Sequence, residues 1–235
     1  MQVRDKLADT SGESLKTTLA RFVIAVIFSI AFAYIEAAVV VYLRRIFHPE
    51  GFTFPLTNFG TDPLWERLLL VEIGREVATL VLISAGAWLF GRNLQQRAAY
   101  FFTIFATWDI FYYVWLKVLI DWPTRISDWD ILFLIPITWA SPVLAPLLIS
   151  LTLLIFAMII LYRCSLARGL KVSRMDWLGF ILAALVVVIS FCAAGLYVTD
   201  PDFQPHFYWP FCWPLFGLGY IFAIVLFLKC LFSSK

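Results

Sequence analysis

The chain has 235 residues, 62% of them hydrophobic and only 14% charged, with a net charge of +2. Its mean hydropathy is +0.87. A water-soluble domain carries about 25% charged residues, so this composition excludes one. The small net charge and the lack of a basic patch exclude nucleic acid as a partner.

The apolar runs reach about 20 residues, enough to cross ~30 Å of hydrocarbon. The expected fold class is all-α, a polytopic transmembrane helical bundle of about six spans. Residues 1–20 form a cytoplasmic N-terminal segment and 21–232 a single transmembrane helical domain.

In chain order, the polar leader carries Arg4, Lys6 and Lys16. Its Thr10-Ser-Gly-Glu13 stretch has capping-box spacing and predicts a short interfacial helix. Ala31-Phe-Ala33 has the form of a signal-peptide cleavage site. The apolar run continues about ten residues past it and the leader is long, which argues against cleavage. Spans are expected near 21–43, 65–91, 98–120, within 130–163, at 177–198 and at 213–232. Asp62-Pro63 caps the second, with Pro at the first helical position, and Gly91 ends it. Ser127-Asp-Trp-Asp130 and Ser173-Arg-Met-Asp176 have the spacing of N-terminal boxes for the fourth and fifth.

The fourth segment is unusual. A helix from Asp130 to Arg163 would be about 50 Å long at 1.5 Å per residue, and it contains Pro136, Pro142 and Pro146. It is expected to be proline-kinked, or else broken, with 130–141 as a re-entrant or interfacial piece.

Orientation follows from Lys and Arg. Twelve fall on one side: Arg4, Lys6, Lys16, Arg21, Arg92, Arg97, Arg163, Arg168, Lys171, Arg174, Lys229 and Lys235. Four fall on the other: Arg44, Arg45, Arg67 and Arg125. Both termini are therefore expected in the cytoplasm, in the cell (inner) membrane. The outer loops hold Glu50, Asp62, Glu66, Asp121, Asp128, Asp130, Asp200 and Asp202, with many aromatics, as in His206-Phe-Tyr-Trp-Pro-Phe-Cys-Trp-Pro214. Such aromatics suit the headgroup level, so these loops lie on the bilayer and offer a surface for a protein partner. Cys164, Cys192, Cys212 and Cys230 show no CxxC and no metal-ligand spacing. Cys192 and Cys212 both lie toward the outer side, yet free packing cysteines are the expectation, because disulfide geometry is demanding.

The second span carries the clearest functional signal, in Glu72-Ile-Gly-Arg75-Glu76. Positions i, i+3 and i+4 share one helix face. Each such charge costs roughly 2.5–3.5 kcal/mol at the bilayer centre, so partners or a watery cavity are needed. Depth arithmetic at 1.5 Å per residue puts Glu36 ~12 Å, Glu72 ~9 Å, Arg75 and Glu76 ~13–15 Å, Asp109 ~18 Å and Lys117 ~6 Å below the outer surface. All six converge in the outer half of the membrane. On the third span, Asp109, Tyr112, Tyr113 and Leu116 follow i, i+3, i+4, i+7, with Lys117 alongside. The candidate site is thus Glu36, Glu72, Arg75, Glu76, Asp109, Tyr112, Tyr113 and Lys117, walled by Tyr34, Trp108 and Trp115. Four carboxylates against two cations leave a surplus of two negative charges, which calls for protons or a bound cation.

Several chemistries are weighed against this pattern. A buried ion-pair network that only fixes helix packing is one reading. A di-iron centre lacks histidine in every span. Mg²⁺, Ca²⁺ or Mn²⁺ accept all-oxygen sites, but no metal is assigned. His48 and His206 both lie in outer loops, so there is no haem signature, and no nucleotide-binding glycine loop exists. Ser141 and Ser150 read as packing residues. The favoured role is handling protons, a cation or a small ion-coupled solute. The alternatives are a non-catalytic structural or assembly subunit of a membrane complex, and a membrane-embedded enzyme acting on a lipid or isoprenoid. No internal repeat appears, and the charges are confined to the first three spans, against a two-fold repeat transporter.

The run from Asp128-Trp-Asp130 through Pro136, Trp139 and Pro142 to Pro146, with Glu72-x-x-Arg75-Glu76 and Trp108-Asp109, resembles sequences of uncharacterised prokaryotic multi-pass membrane proteins. The resemblance covers about the middle third of the chain. It implies no activity, cofactor or site residue.

Overall fold

The computed structural model describes residues 14–48, 51–56, 63–207 and 209–233, without the side chains of 63–66. Six long helices are present among them. They are α1 (Leu15–Phe47), α2 (Pro63–Phe90), α3 (Leu94–Ile120), α4 (Leu144–Ser165), α5 (Arg174–Gly195) and α6 (Trp213–Phe232). Five of them, all but α2, are long and apolar enough to cross a membrane. The outward faces of the six helices carry large apolar side chains such as Leu70, Leu89, Tyr42, Ile181 and Leu218. A soluble monomer rarely exposes so much apolar surface; a membrane-embedded one faces lipid with it.

The helix ends follow local chemistry. Asn93 caps α3 by accepting the Gln96 amide at 2.9 Å, and Asp121 closes it in the left-handed region at φ 53°. Ser173 and Asp176 form the expected reciprocal capping box on α5. Pro63 stands at the start of α2, where its missing N–H costs nothing. The expected Asp62 cap and the Thr10–Glu13 box lie outside the described residues. Gly91 follows α2, packed against the Arg97 backbone so closely that a side chain would not fit.

In the fourth segment the kinked helix does not form, and of the two expected forms the broken one is what the backbone shows. Residues 130–143 are not helical, and no proline kinks a helix there. Trp129–Phe133 (β1) and Trp139–Pro142 (β2) form an antiparallel hairpin, with Asp130 opposite Ser141 and a bulge between Ile131 and Phe133. The reason is local. A residue before proline is pushed out of the α region, and Ile135-Pro136 sits at the turn. Strand-favouring Ile131 to Ile135 precedes it. Pro146 falls in the first turn of α4, where no intrahelical donor is lost. Asp130 caps no helix; Asp128 instead accepts from Thr124 N and Oγ1, both at 2.7 Å, and from Arg125 N at 3.0 Å. That turn launches the hairpin.

The connections after α1, α3 and α5 meet at one end of the bundle. Leu56 N donates to Val198 O at 2.8 Å, and Trp129 Nε1 to His206 O at 3.2 Å. Trp129, Phe191, Phe203, Phe211 and Phe216 pack beneath them. The opposite end is tied by Gln95 to the 170 region and by Lys229 to Asp176 at 2.6 Å. Between the ends, alanines and threonines such as Ala25, Ala33, Ala87, Ala99 and Thr103 let α1, α2 and α3 approach closely. The main helix interfaces are α3 with α4, α1 with α3, α5 with α6, and α2 with α3. The α5–α6 pair stands apart, joined to the rest chiefly through β2. All four cysteines are free.

Candidate functional site

On α2, Glu72, Arg75, Glu76 and Thr79 follow one helix face, and α1 places Glu36 against it between small residues Ala33 and Ala37. Arg75 pairs with Glu36 and grips Glu72 with two nitrogens, Nε lying 2.9 Å from Glu72 Oε2. Thr79 Oγ1 donates to Glu36 Oε2 at 3.2 Å. Glu36 is only 6% exposed, so its charge is answered by these two groups rather than by water. Both oxygens of Glu76 lie 2.9 Å from the Leu134 amide, which ties α2 to the hairpin.

A second node sits on the hairpin side. Arg44 Nη2 donates to Asp130 Oδ1 at 3.0 Å, and the Tyr112 hydroxyl donates to Asp130 Oδ2 at 3.4 Å. The Arg44 guanidinium lies 3.8 Å from the centre of the Trp122 ring and 4.3 Å from that of Phe52. Its Nη1 has no hydrogen-bond acceptor, and the aromatic faces stand in for one. His48 lies next to this node. Burial first, and then the Arg44 charge, lower the pKa of its imidazole. On α3, Asp109 accepts from Ser150 Oγ of α4 at 2.8 Å.

These nodes line one cavity of about 810 Å³. Of the residues expected from sequence, Glu36, Glu72, Arg75, Glu76, Asp109, Tyr112 and Tyr113 line it. Lys117 does not. It is about half exposed and pairs with Asp121 at 2.7 Å, because its side chain reaches past the end of α3. Nor do Tyr34 and Trp115 wall the cavity: Tyr34 is about half exposed and meets Trp115 edge-on, 5.3 Å between ring centres. Trp108 does wall it, stacked on Tyr112 and tilted against Phe133.

Sequence reasoning missed Arg44, Asp130, Ser150 and the Leu134 amide. Arg44 and Asp130 counted as outer-loop charges, yet their side chains are only 10% and 3% exposed. The signal for Asp130 was its neighbours, Trp129 before it and Ile-Leu-Phe-Leu-Ile after it.

With Arg44 and Asp130 included, the cavity wall holds five carboxylates, Glu36, Glu72, Glu76, Asp109 and Asp130, against two guanidiniums. The surplus is three negative charges, one more than expected. Among the described residues, no three carboxylate, cysteine or histidine groups converge as metal ligands do. Compared with protein-family models, with curated proteins and with solved structures, the chain matches none.

Proposed function

We propose that this chain is a six-span protein of the cell membrane with both termini in the cytoplasm, and that the acid-lined chamber binds a proton or a cationic solute. The single observation that carries this reading is the chamber's charge. Five carboxylates face two arginines in one cavity of a chain built to sit in lipid. A purely structural lock is best neutral, since uncompensated buried charge destabilises the fold. Glu36 and Glu72 are engaged by Arg75, and Asp130 by Arg44. Glu76 accepts from the Leu134 and Ile135 amides, with the Arg75 charge within reach, and Asp109 accepts from a hydroxyl. They are the groups available to a cation.

A second reading, a protein that binds or transforms a lipid or isoprenoid, is supported by the apolar continuation of the same cavity. The third, a non-catalytic subunit with a partner on its aromatic loops, draws only on those loops.

The test is a titration of the purified protein with Na⁺, K⁺ and propylammonium in weak buffer, following heat and proton release. Saturable binding of one of these, with proton release, is expected. Glu76→Gln and Asp109→Asn should each weaken it at least tenfold while keeping helical content. Absence of both heat and proton release for all three would return the network to a packing role.

A further inference from the structure

The cavity does not end at the charged chamber. It runs on between α3 and α4 on one side and the α5–α6 pair on the other, toward the Gln95 end of the bundle. Along this slot the lining turns apolar, with Phe102, Phe105, Leu153, Val187 and Ala223. From Asp109 back to Gln95 is fourteen residues of α3, about 21 Å at 1.5 Å per residue. One leaflet of a bilayer is about 15 Å of hydrocarbon, so the slot is long enough for one lipid chain.

Well-packed interiors leave few voids larger than a water molecule. A cavity of about 810 Å³ is far beyond that and falls in the range of ligand sites, roughly 300–1,000 Å³. Contacts that bridge α4 and α6 include the stack of Phe156 on Phe227 at 3.7 Å, the Thr152–Tyr220 hydroxyl pair at 2.6 Å and, at the Gln95 end, Arg163 Nη1 donating to Leu231 O at 3.3 Å. The α5–α6 pair otherwise touches the remaining helices chiefly through β2. The seam is therefore the place where an occupant from the bilayer can enter.

We infer that the occupant is a long-chain amphiphile with a cationic headgroup, its ammonium in the acid-lined chamber and its hydrocarbon chain in the slot between α3/α4 and α5/α6. The inference rests on the chamber being a cation site, as proposed above, and adds the chain. Charge selects the head. An ammonium offers three donors and a positive charge to Glu76 and Asp109. A phosphate or sulfate head would meet a surplus of carboxylates and be repelled.

Native mass spectrometry of the detergent-purified protein tests it with three probes, hexadecylamine, hexadecyl sulfate and propylamine. One hexadecylamine is expected per chain, at least tenfold tighter than either of the others. Ala223→Trp, which fills the slot, should remove the advantage of hexadecylamine over propylamine. Ala184→Phe serves the same purpose if the first variant loses its helical content. Equal binding of the sulfate would reduce the effect to partition of the chain and overturn the inference. So would full hexadecylamine affinity in a folded slot-filled variant. Propylamine binding as tightly as hexadecylamine removes the chain and leaves the cation site standing. Failure of both amines removes the cation site as well.

Discussion

Arg75 and Lys117 make an instructive pair at the scale of single residues. Both are cations on long helices, Arg75 mid-helix and Lys117 in the last turn, and both have a carboxylate in reach. Arg75 is enclosed and holds two carboxylates, Glu36 and Glu72. Removing it strands both. Breaking a buried pair costs about 3–5 kcal/mol, so Arg75→Ala should lower unfolding stability in mixed micelles by about that amount. Lys117 is solvated and its partner Asp121 even more so. Exposed pairs contribute about 0–1 kcal/mol, and Lys117→Gln should change neither stability nor cation binding measurably. A loss on the Arg75→Ala scale from the Lys117 variant would contradict the geometry. The Glu72, Arg75, Glu76 face was legible because helical spacing is a local property. Arg44 and Asp130 were not, because depth was counted along each helix from its end. A charge in the last turn counts as surface by that arithmetic, until another segment folds over it. Here the hairpin does so, and no local pattern announces where it will dock.

Among the elements, the hairpin differs most from what periodicity suggested. Its residues read as the start of a long helix, since apolar runs without alternation fit either state. The three prolines were visible and pointed to a bend or a break, but not to a strand pair. What fixes the hairpin is its neighbour. Gly195 on α5 lies so close to the Thr138 carbonyl that any side chain there would collide with it. Gly195→Val is therefore expected to lift the hairpin from α5 while leaving the helices formed. The measurement is hydrogen exchange. The Leu134 amide, held by Glu76, should exchange at least tenfold faster in the variant, with the centres of α3 and α4 unchanged. Unaltered protection at Leu134 would show that the hairpin is not seated on α5. Glu76→Gln keeps an acceptor oxygen, so it should leave this amide protected while removing the charge.

For the whole molecule, the bundle divides into a four-helix group, α1 to α4, and the α5–α6 pair. Existence and order of the helices were legible, because five long apolar runs of membrane length leave little choice, with the charged α2 between the first two. The division was not, because it depends on how side chains fill the space between helices. Orientation is the remaining property at this scale. Cysteines introduced at 51–56, 121–128 and 199–207 should react with a membrane-impermeant thiol reagent on intact cells. Those at 166–173 should react only after the membrane is opened. The reverse pattern would invert the bundle and place the chamber on the cytoplasmic side.

The seat at Gly195 also sets an order for biogenesis. Arg44 and Glu76 enter the membrane with the first two helices, but Asp130 and the Leu134 amide come only with the hairpin. The hairpin in turn has no place to rest until the fifth helix has been made. The partners of Arg44 and Glu76 on the hairpin thus depend on a contact made much later in the chain, at residue 195.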